Sequence, residues 1–90
     1  MQKWIIEGFR GGSPSGLSRQ ITGGENQVVV LLQRLAARHL TDDEIIDATF
    51  GTRHDLDISN NTESKLYSLM TNGADCRYIA TIDDSYADRP

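Results

Sequence analysis

Twice near its middle the chain carries a signal that starts a helix. Thr22-Gly23-Gly24-Glu25 and Thr41-Asp42-Asp43-Glu44 each set a Thr three residues before a Glu and ahead of an apolar stretch of helical period. In such a capping box the Thr hydroxyl accepts from one orphan N–H of the first turn, and the Glu carboxylate reaches back to another. Two start signals this close fix two consecutive helices, and the sequence on either side of them alternates as strands do.

The first helix is predicted over Glu25–His39, where Val28, Leu31, Leu32 and Leu35 make a stripe that must be buried. The second is predicted over Asp42–Phe50, closed by Gly51, with Ile45, Ile46 and Thr49 or Phe50 facing inward. Before them, Gln2–Arg10 and Leu17–Thr22 read as strands joined by a mobile Gly/Ser connector over residues 11–16. After them come a short strand at Leu56 and Ile58, a loop at Asn60–Glu63, and a hairpin of Lys65–Met70 with Arg77–Asp83 turned at Asn72-Gly73. The expected fold is therefore α+β, in two layers: an antiparallel sheet of four to five strands with two consecutive helices packed on one face, in the order ββ-αα-βββ. At 90 residues the chain is expected to form one domain, with 84–90 fraying as a tail.

Charge narrows the functional classes. Thirteen acidic against nine basic residues leave a net charge of −4, whereas binding to nucleic acid draws most of its affinity from cationic contacts to phosphate. That balance disfavours direct nucleic-acid binding and leaves Arg10, Arg19, Arg34 and Arg38 as its only apparent vehicle, provided that they converge. Cys76 is the sole cysteine, so no disulfide closes within the chain and a reducing, cytoplasmic setting is expected. The longest apolar run, Val28–Leu32, is far short of the ~20 residues that a bilayer requires, so no membrane association is expected.

Reactive chemistry finds little support. His54, Asp55 and Asp57 offer metal-binding side chains, but without a Cys pair or an HExxH motif they fall short of a zinc set. The run Asp55–Asn60 lacks the glycine and the terminal Glu of a calcium loop. Cys76 with His54 as base has no glycine-rich oxyanion signature nearby, and no Ser stands in a G-x-S-x-G elbow. The carboxylate pairs Asp42/Asp43 and Asp83/Asp84 sit at a helix start and a strand end, which suits solvated surface. The expectation is a protein that is not an enzyme and needs no cofactor and no metal.

What remains is a binding module. The candidate contacts are the acidic helix start, Asp42, Asp43, Glu44 and Asp47, and the aromatic anchors Trp4, Tyr67 and Tyr78. The expected partner is another protein or complex with a basic surface. Small size and negative charge suit a phage or mobile-element inhibitor that occupies a host groove meant for nucleic acid. The alternatives are a homodimer or larger homo-oligomer built through a sheet edge or the tyrosine-bearing face, and an accessory protein that binds nucleic acid weakly through its arginines.

Overall fold

The computed structural model describes residues 2–60, 66–73 and 75–83. Its elements are β1 (Gln2–Arg10), β2 (Ser13–Gly23), α1 (Glu25–Ala37), α2 (Asp42–Thr49), β3 (Ile58–Asn60), β4 (Ser68–Thr71) and β5 (Cys76–Ile82). The strands form one antiparallel sheet in the order β2-β1-β5-β4-β3, so the first and last strands of the chain are neighbours at its centre. Among the described residues the fold is α+β, with five strands and two consecutive helices. The loop expected at Asn60–Glu63 and the tail expected at 84–90 lie mostly or wholly outside the described residues.

Alternation decides what the sheet buries. Trp4 and Ile6 of β1, Tyr78 and Ala80 of β5, and Leu69 of β4 point to the face that α1 covers, and all are at most 5% exposed. From α1 they meet Val28 and Leu32, with Leu31 and Leu35 packed partly buried beside them. Trp4 also donates from Nε1 to the carbonyl of Gly23 at 3.1 Å, so its one polar atom is satisfied in the core. At the end of the β4–β5 ladder Thr71, fully buried, accepts at Oγ1 from the N–H of Tyr78 at 3.1 Å.

Two turns differ from expectation. The connector over 11–16 is a tight turn of Gly11 and Gly12 alone, both at positive φ (58° and 84°), and β2 begins at Ser13 opposite Arg10. A two-residue hairpin with positive φ at both positions is what glycine permits without steric penalty. The irregularity left over is taken up within β2, where the register shifts near Gly16, itself at φ 100°. Conversely Asn72 and Gly73 do not adopt positive φ. The Asn72 side chain instead donates to the carbonyl of Asp57 at 2.8 Å and accepts from Ser59 Oγ at 3.1 Å, which ties the β4 end to the start of β3.

The helix starts also divide. Thr41 caps α2 as expected: its Oγ1 accepts from Glu44 N–H at 3.2 Å, and Glu44 Oε1 accepts from Thr41 N–H at 2.9 Å. For α1 the N-cap is Gly24 rather than Thr22, because Thr22 is still paired to Lys3 in the sheet. Gln27 Oε1 accepts from the N–H of Gly24 at 3.0 Å and performs the reach-back expected of Glu25.

Candidate functional site

Helix α2 carries the surface of greatest functional interest. Of its residues only Ala48 is buried, while Ile45 and Glu44 are half-buried. Ile46 is 54% exposed and Phe50, which follows the last turn, is 80% exposed. Ile46 was expected to face inward, and Phe50 was the alternative to Thr49 on that side. At about 100° per residue, Ile46 and Phe50 fall on one side of the helix between Asp42, Asp43 and Asp47, opposite Ala48. All three aspartates are exposed. The outward face is thus an apolar pair, one turn apart, rimmed by carboxylates.

Glu44 is set apart from this rim. Besides closing the capping box it accepts from Arg53 Nη2 at 3.0 Å through Oε2, and Arg53 forks onto Asp55 at 2.9 and 3.3 Å. The Thr41 N–H, then its hydroxyl, and finally the nearby guanidinium hold Glu44 below the usual carboxylate range. The hydrogen bonds from Arg53 do the same for Asp55, and in return the bond to Asp55 raises Arg53. This clamp joins the loop after α2 to the helix start and fixes which side of α2 turns inward.

The expected aromatic anchors take different places. Trp4 and Tyr78, at 1% and 5% exposure, belong to the core and offer no outer surface. Tyr67 remains 43% exposed, meets Trp4 edge-on with ring centroids 6.1 Å apart, and donates to Glu25 Oε1 at 2.9 Å. That carboxylate raises the phenol above its ordinary value. Nor do His54, Asp55 and Asp57 converge: Asp55 holds Arg53, while His54 Nδ1–H donates to Asp57 at 2.8 Å. Among the described residues no three His, Cys, Asp or Glu side chains are grouped as a metal would need.

Of the four arginines considered for nucleic acid, Arg10 and Arg38 line one cleft, Arg34 lines a separate shallow depression on α1, and Arg19 is exposed on β2. The cleft with Arg10 and Arg38 also holds His39, Cys76 and Tyr78. No sequence signal marked it, because its walls come from β1, β2, α1 and β5. Protein-family models, curated proteins and solved structures return no match to this chain. Among the described residues no helix is long and apolar enough to cross a membrane.

Proposed function

We infer that the protein is a non-catalytic interaction module that docks the outward face of α2 onto a basic groove of another protein, of the kind that nucleic-acid-handling complexes present. A single observation carries this reading: Phe50 and Ile46, 80% and 54% exposed, stand side by side on a helix whose neighbouring outward positions are Asp42, Asp43 and Asp47. An exposed apolar centre with a charged rim is the composition of a docking patch, and aromatic residues are favoured among the side chains that dominate such contacts. The carboxylates supply steering toward a cationic partner and weaken with added salt. A role as an inhibitor that competes with nucleic acid for that groove belongs to the same proposal, as does a cytoplasmic setting, which the lone thiol of Cys76 supports.

The test separates the patch from the rest of the acid surface. In Ile46→Ser/Phe50→Ser the apolar centre is lost, and in Asp42→Lys/Asp43→Lys/Asp47→Lys the rim is reversed; Glu44 stays, since it holds Thr41 and Arg53. Partners captured by the wild-type protein and lost with both folded variants support the reading. Capture that survives both variants contradicts it.

A further inference from the structure

A second site lies at the C-terminal end of α1, on residues different from those of the docking face. The cleft there, about 560 Å³, is walled by Leu17 and Leu35, floored by Tyr78 and rimmed by Arg10, Arg38 and His39. Its lining contains no carboxylate. Among the described residues neither Arg10 nor Arg38 forms an ion pair. A neighbouring cleft shares Arg10, His39 and Cys76, but there Arg53 is already neutralised by Glu44 and Asp55, and Asp75 adds negative charge.

The Arg38 guanidinium and the His39 imidazole are positioned from below. The Tyr78 ring is buried, with its hydroxyl at the cleft floor, 3.3 Å from Arg38 Nη2 and 2.5 Å from His39 Nε2. Arg38 donates to the phenol oxygen, and the hydrogen bond between that hydroxyl and His39 Nε2 runs in the direction set by the imidazole tautomer. The imidazole lies nearly parallel to the Tyr78 ring, at 21° and 5.7 Å. Part of this positive charge answers the carbonyl end of α1, but Arg10 approaches from β1 and has no such duty.

We propose that this cleft binds a phosphate ester carrying an organic group, the whole of the size of a nucleoside monophosphate. Arg10, Arg38 and His39 hold the phosphate, since guanidinium forks match its oxygens in pairs. Leu17 and Leu35 face the organic group. The volume falls within the range of about 300–1,000 Å³ typical of small-ligand pockets, and a bare phosphate leaves most of it empty.

Cys76, the only cysteine, lines the same cleft and is partly exposed, so it reports occupancy. The experiment titrates the protein calorimetrically with adenosine monophosphate, inorganic phosphate and adenosine, and follows alkylation of Cys76 by uncharged iodoacetamide in each. The expected result is that the nucleotide binds at least about tenfold more tightly than either fragment, as burial of the base against Leu17 and Leu35 and charged hydrogen bonds each imply, and slows alkylation. Arg10→Gln and Arg38→Gln, checked as folded by circular dichroism, each weaken it about tenfold. Tyr78→Phe, which keeps the ring in the core, weakens it less. Absence of nucleotide binding, adenosine or phosphate bound as tightly as the nucleotide, or affinity unchanged in both arginine variants overturns the proposal.

Discussion

Gly8 shows how single positions hold the layers together. A Cβ there would come 2.6 Å from Ser15 Oγ, 3.2 Å from Tyr78 Cε1 and 3.3 Å from Leu17 Cβ, so β2 and β5 close over it on the core face. Ser15 can turn away, but the Tyr78 ring and the Leu17 stem cannot. Gly8→Val is expected to cost about 1–3 kcal/mol in urea unfolding, the usual penalty for overpacking. Leu32, fully buried against the sheet, sets the opposite limit: Leu32→Ala should cost about 2–5 kcal/mol by the same measurement. The sequence announced Leu32, because apolar residues at helical spacing sustained over three turns mark a buried stripe. It did not announce Gly8, whose need for a missing side chain arises from Tyr78, far along the chain, and from Ser15 and Leu17, which the hairpin brings back over it.

Elements add what single residues cannot. The start of α2 is held by a hydrogen-bonded chain from Thr41 through Glu44 to Arg53 and Asp55. Glu44 and Asp55 both have their folded-state pKa depressed. Their contribution is therefore complete above the ordinary carboxylate range and is lost as pH falls through the depressed values. Thermal unfolding followed from neutral pH down into that acid range should show stability falling, and Arg53→Gln should flatten the fall. Thr41→Ala removes the cap and should cost about 1 kcal/mol, read as loss of helical ellipticity and of midpoint. This capping box was legible because all its parts are adjacent in sequence. The facing of α2 was not: Ile45, Ile46, Thr49 and Phe50 imitate an inward stripe, whereas the clamp on Glu44 and the small side chain of Ala48 turn a different side to the body. A short helix with one buried residue takes its orientation from such tethers rather than from its own pattern. Thr22 misled for the converse reason, since sheet pairing to Lys3 outcompetes a local cap.

At the scale of the molecule, strand order is what creates sites. Placing β5 between β1 and β4 brings Cys76 and Tyr78 beside Arg10 and under the end of α1, a meeting of residues that no spacing along the chain foretells. The acidic surplus, by contrast, was plain in the composition, and part of it gathers as Asp42, Asp43 and Asp47 around Ile46 and Phe50. The two surfaces have opposite chemistry and sit on different elements, so variants of one should leave the other intact. The most direct test of the docking face is the dissociation constant of a purified captured partner for wild-type protein, Ile46→Ser/Phe50→Ser, the triple aspartate reversal and Arg10→Gln/Arg38→Gln, at low and high salt. The account predicts a loss of about thirtyfold or more for the first two variants, as expected when a dominant aromatic contact is removed, a wild-type affinity that weakens with salt, and no change for the arginine pair. Equal affinity for wild-type protein and both α2 variants, each shown to be folded, would contradict it.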